Sequence, residues 1–145
     1  MAFHFSLAAV LKLRESIEQQ EYLNLEKIHQ EIAHAQAEIA KNELRQGELQ
    51  QDRDEQLPGS MPSIHLQSIF EQIFTLEQRK DALKAALVEL AIKKDQQLKI
   101  YNQARQKREV LESMRERQYT LYQREETKRQ QALMDDLFLA RLRRE

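Results

Sequence analysis

Gly47, Pro58, Gly59 and Pro62 are the only glycines and prolines among 145 residues, and three of the four fall within the stretch 56–62. A globular domain reverses direction every dozen or so residues and needs turn-forming side chains at each reversal. This chain offers one strong reversal. Pro58 and Pro62 each remove a backbone N–H, and Gly59 tolerates any backbone conformation, so a continuous helix stops there and a second begins. The spacing predicts an all-α chain of two long helices, helix 1 over about 4–55 and helix 2 over about 63–142, joined by a turn at about 56–62. Folded back, these form a single antiparallel coiled-coil hairpin spanning 1–145.

Charged residues make up 32% of the chain and aromatics 6%, with no tryptophan and no cysteine, which speaks against a thick apolar core. The net charge of -1 and the regular recurrence of apolar residues speak against disorder. Without cysteine there is no disulfide, thiol nucleophile or zinc-thiolate site. The apolar runs at 7–11 and 137–140 end at Lys12 and Arg141, far short of the roughly 18 residues that cross a bilayer. Residues 1–5 carry no Lys or Arg to begin a signal peptide. The expectation is a cytoplasmic protein with no direct membrane insertion.

In helix 1 the positions Leu25, Ile28, Ile32, Ala35, Ile39, Asn42, Gln46, Leu49 and Arg53 alternate steps of three and four, a narrow seam that one partner helix can cover. Nearer the start, Val10, Leu13 and Ile17 make their own run, and the two four-residue steps through Glu21 to Leu25 resemble a stutter. Helix 2 carries a longer seam through Leu66, Ile69, Ile73, Leu76, Lys80, Leu83, Leu87, Leu90, Lys94, Gln97, Tyr101, Ala104, Arg108, Leu111, Arg115, Gln118 and Tyr122. A fold-back near Gly59 pairs positions whose numbers total roughly 118, setting Glu21 against the layer of Lys94 and Gln97, where opposed charges fix register. It sets Phe5 beside about residue 113. The rest of helix 2 is then an overhang reaching roughly 45 Å, at about 1.5 Å per residue. Tyr119, Tyr122, Leu133, Met134, Leu137, Phe138 and Leu142 lie on that overhang, and exposed apolar residues in such number mark a partner surface.

Catalytic and ligand chemistry finds little support. Gly47 and Gly59 are too far apart for a phosphate-cradling loop. Glu26 with His29 and Glu31 with His34 have the carboxylate–histidine spacing of di-metal bundles. Such sites need the motif on facing helices and pointing inward, whereas both copies lie on helix 1, where Ile28 and Ile32 hold the inward positions. No metal, no cofactor and no catalytic residue is assigned, and an enzyme is not expected; a di-metal helical enzyme is the alternative that bound iron or manganese would reveal. Lys93–Lys94 and 141–144 are basic clusters, but acidic residues are interspersed along both helices and the net charge is -1, so no nucleic-acid partner is expected.

The opening Phe3-His4-Phe5-Ser6-Leu7-Ala8-Ala9-Val10-Leu11-Lys12-Leu13-Arg14, followed by Glu18, resembles the Phe-x-Phe-x-Leu…Val-Leu-x-Leu-Arg start of flagellar export proteins of the FliJ family. Arg124-Glu125-Glu126-Thr127-Lys128 and then Met134-Asp135-Asp136 are similar to that family's C-terminal pattern, with Asp136 where the pattern has Glu. The resemblance implies a component of the type III export apparatus, a coiled-coil stalk peripherally associated with the membrane-embedded machinery; the hairpin reading itself predicts a monomer. It also implies that the stalk sits in the export ATPase ring, promotes the ring's assembly or activity, links it to the export gate and escorts export chaperones. The residues implied at the ATPase are Phe3, Phe5, Leu7, Arg14, Arg124, Lys128, Asp135 and Asp136. Phe70 and Phe74, exposed aromatics near the turn, are assigned to the gate. Alternatives are the corresponding stalk of a virulence injectisome and a generic coiled-coil dimer acting as a scaffold.

Overall fold

The computed structural model describes residues 2–56 and 63–144 and is all-α. Helix α1 spans Ala8–Gln56 and α2 spans Ser63–Arg144. Both are rich in Ala, Leu, Glu, Gln, Lys and Arg, the residues that lose least on entering a helix. The expected turn at 56–62 lies almost wholly outside the described residues. Residues 4–7, expected to be helical, precede α1: Phe3 to Phe5 have no regular structure, and the N–H of Ala8 bonds back to the carbonyl of Phe5 at 3.1 Å to open the first turn.

Contacts group the chain into two units, one of residues 21–100 and one of residues 1–20 with 101–145. In the unit of residues 21–100, Gln97 Nε2 donates to the carbonyl of Glu21 at 3.1 Å and also to its carboxylate, which Asn24 bonds as well. Arg79 meets Glu38 at 3.7 Å, Lys80 meets Glu43 at 3.3 Å, and Gln46 donates to Glu77 at 3.0 Å. From Glu21 to Gln46 on α1 the partner on α2 moves from Gln97 back to Glu77, so the two segments of this unit run in opposite directions. The partner of Glu21 is the amide of Gln97 rather than the ammonium of Lys94, because the carboxamide reaches the Glu21 backbone and side chain together.

All nine expected α1 seam positions from Leu25 to Arg53 are buried or half-buried. Leu49, Ile69 and Ile73 form the buried apolar cluster, with Leu76 packed against it. Asn42 is the buried polar residue of the seam.

The unit of residues 1–20 and 101–145 departs further from expectation. Leu11 is buried, Leu7, Arg14, Ile17 and Glu18 are half-buried, and Val10 and Leu13 are exposed, Leu13 by 58%. The inward phase here is therefore Leu7, Leu11, Arg14 and Glu18, one position away from the run of Val10 and Leu13. Three- and four-residue steps fit both runs, and Phe5 at 4% exposure selects between them, since residues 5, 7 and 11 close on one side. On α2, Ala104 is buried and Tyr101, Arg108 and Leu111 are half-buried, whereas Arg115 and Gln118 are exposed.

Candidate partner-binding surfaces

The N-terminal segment is held by aromatic packing. The Phe3 ring meets Tyr119 edge-on at a centroid separation of 5.2 Å and Tyr122 at 5.5 Å, and Tyr119 stacks near Tyr122 at 6.4 Å. Such contacts add about 0.5–1.5 kcal/mol each beyond the area they bury. Phe3 thus lies farther along α2 than the pairing of Phe5 with residue 113 implies. An extended residue advances about 3.3 Å against about 1.5 Å in a helix, so the non-helical residues before Ala8 reach about twice as far as helical ones. Within this unit the N-terminal segment therefore makes contact with α2 as far along as Tyr122. Phe3 also lines a shallow pocket with Phe5, Leu11, Lys12, Glu15 and Arg115.

A charged cluster secures the same unit. Arg108 bonds the carboxylate of Glu18 on α1 and that of Glu112 one turn onward on α2, with Glu109 at 3.9 Å. The bond from Glu18 raises the Arg108 pKa further above its ordinary value; burial opposes this, and the charges of Glu18, Glu112 and Glu109 reinforce it. Arg108 is a fixed cation that ties α1 to α2 here. Sequence reasoning placed it only as a seam position, because a helical period says nothing about which carboxylate a guanidinium will reach.

Of the residues assigned to the ATPase, Phe3 and Phe5 line one pocket, Leu7 just before α1 and Arg14 on its second turn are half-buried, and Arg124, Lys128, Asp135 and Asp136 are exposed on α2. Phe5 is enclosed within its own unit and acts as an anchor for the segment. Spacing puts Arg124, Lys128 and Asp135 on one face of α2 with Leu121, Leu139 and Leu142, while Asp136 turns about 100° away. Leu121, Leu133, Met134, Leu137, Phe138, Leu139 and Leu142 are all more than half exposed. Exposed apolar residues gathered in such number mark a partner surface.

A second surface lies in the unit of residues 21–100. Phe70 and Phe74 are 47% and 59% exposed and line a groove with Ser63, Leu66, Gln67 and Glu71. The guanidinium of Arg53 stands 5.6 Å from the centre of the Phe70 ring, a cation–π contact. No group of His, Asp and Glu among the described residues is arranged to hold a metal ion.

A family model described as the flagellar FliJ protein matches residues 3–145, essentially the entire chain. The chain belongs to the FliJ family. Comparison with curated proteins and with solved structures gives no match. Membership carries a role in flagellar protein export, as a structural component of export rather than as a member of an enzyme family. Among the described residues no helix is long and apolar enough to cross a membrane.

Proposed function

We propose that this FliJ-family chain is the coiled-coil stalk of the flagellar type III export apparatus. In this reading α1 and α2 form one antiparallel coiled-coil hairpin with the C-terminal part of α2 overhanging. The stalk binds the export ATPase ring in the cytoplasm, promotes its assembly or activity, and connects it to the export gate at the membrane. Escort of export chaperones belongs to the same reading. The observation that carries it is the last part of α2, where Leu133, Met134, Leu137, Phe138 and Leu142 are bare on a helix whose neighbours are charged. Those residues gain about 25 cal/mol for each Å² of apolar surface a partner covers, and the interspersed Arg124, Lys128 and Asp135 supply orientation.

A stalk without sixfold symmetry touches the subunits of a ring unequally, so it biases their states through differential contacts and not through chemistry of its own. Phe3, Leu7, Arg14, Arg124, Lys128, Asp135 and Asp136 are assigned to the ATPase, with the enclosed Phe5 anchoring the segment that carries Phe3. The groove of Phe70 and Phe74 is assigned to the gate. Pull-down of the purified chain with the export ATPase, together with the ATPase rate in its presence and absence, tests the reading. Failure to bind and failure to change the rate together would reject it.

A further inference from the structure

Two features of α1 lie five residues apart and neither helps the closed structure. Asn42 is 7% exposed, and its side-chain Nδ2 has no hydrogen-bond partner. A buried donor left unsatisfied is penalised by the water it has lost. Seam asparagines that fix the register of coiled coils do so by bonding a polar group across the interface. Here no acceptor meets Nδ2, so the residue takes the place of an apolar seam side chain without such a bond. Gly47 follows in mid-helix. A Cβ built there meets nothing within 4 Å, and the residue has no positive φ, so neither close packing nor backbone geometry requires glycine.

Among the described residues beyond Asn42, the end of α1 is fastened by one buried apolar side chain, Leu49, with Gln46 bonded to Glu77 and Arg53 over the Phe70 ring. Leu49 is 4% exposed and packs in the cluster with Ile69 and Ile73, supported by Leu76. Phe70 and Phe74 are already exposed on the same stretch of α2. Lifting the segment would therefore turn an interrupted apolar surface into a continuous one through Ile69, Phe70, Ile73, Phe74 and Leu76. It would also hydrate the amide of Asn42, so the opened form recovers part of what it loses.

We propose that residues 43–55 of α1 form a latch that opens from α2 as one cooperative segment, with Asn42 and Gly47 as the built-in weak joint. Opening lets water satisfy Asn42, relieves the unfavourable glycine by releasing its helical constraint, and uncovers Ile69 and Ile73. The device acts whichever partner the exposed surfaces take, so it does not rest on the stalk reading. Local openings of this kind are sampled by proteins well below their global unfolding free energy.

Hydrogen–deuterium exchange on the intact chain tests it. The expected result is a step in protection near Asn42, with amides 44–55 exchanging through a common opening and amides 26–40 much more protected. Gly47→Ala should slow exchange of the segment about fivefold, and Asn42→Leu about tenfold or more, while amides 26–36 change less than about twofold. Protection that declines smoothly toward residue 55 without a step would mean ordinary end fraying and would overturn the proposal. Equal slowing throughout α1 in both variants would overturn it too, because the two residues would then act on global stability alone. Gly47→Ala leaves the seam untouched, so its result stands even if Asn42→Leu alters packing.

Discussion

Glu18→Gln isolates the contribution of the cluster around Arg108. The substitution keeps the size and hydrogen-bonding outline of the side chain and removes its charge. Both partners are well covered, with side-chain exposures of 16% for Glu18 and 22% for Arg108, so solvent screens the bond less than it would a surface pair. Breaking a fully buried pair costs about 3–5 kcal/mol because a charge is stranded. Here Arg108 keeps Glu112 and Glu109, so stranding is partial and the loss falls to about 1–2 kcal/mol, in the range of a charge-assisted hydrogen bond. Glu112 is 43% exposed and pairs within one helix, so Glu112→Gln should cost no more than about 0.5 kcal/mol. Urea unfolding followed by circular dichroism at 222 nm measures both, and a double-mutant cycle with Arg108→Gln gives the coupling across the helices. The Arg108 pKa is raised in the folded state, so its stabilising effect is complete below the unfolded arginine pKa and is lost only as pH rises past the folded one. The loss caused by removing Arg108 should therefore not decline between about pH 7 and pH 9. A coupling near zero, or equal costs for Glu18→Gln and Glu112→Gln, would refute the idea that this contact fastens α1 to α2.

Leu49→Ala should cost about 2–3 kcal/mol, since Leu49 is buried in the cluster with Ile69 and Ile73, whereas Leu44→Ala, at 68% exposure, should stay within about 0.5 kcal/mol; matched urea melts decide. Phe3→Ala should destabilise by about 1 kcal/mol and change the near-ultraviolet dichroism of the tyrosines, because its ring touches both Tyr119 and Tyr122; an unaltered spectrum would show that the contact is not formed in solution. Removing residues 133–145 should leave helicity per residue nearly constant and weaken binding to the export ATPase. Normal activation of the ATPase by the shortened chain would displace the proposed C-terminal surface.

Much of the all-α architecture was legible because it depends on local properties. Two breaker-free stretches and a seam of three- and four-residue steps are readable without knowing what lies opposite, and the seam from Leu25 to Arg53 is covered at every expected position. Candidate surfaces were legible as residue types. Their condition was not: Phe5 proved to be enclosed, while Arg124, Lys128, Asp135 and Asp136 are open to solvent.

By itself the sequence determined the helices, their inward stripes through most of α1, and the terminal motifs that point to flagellar export. Helical period and breaker placement are written along the chain, so no partner is needed to read them. Only tertiary structure decided that Leu11 turns inward while Leu13 faces solvent, that Glu21 is held by Gln97, that Arg108 gathers Glu18 and Glu112, and that Asn42 is buried without a partner for its amide. Each of these depends on how far a side chain reaches across an interface, and on whether the residue it meets can accept what it offers. A periodic pattern fixes which face of a helix is covered, whereas the pairing across that face is settled only when both helices are in place.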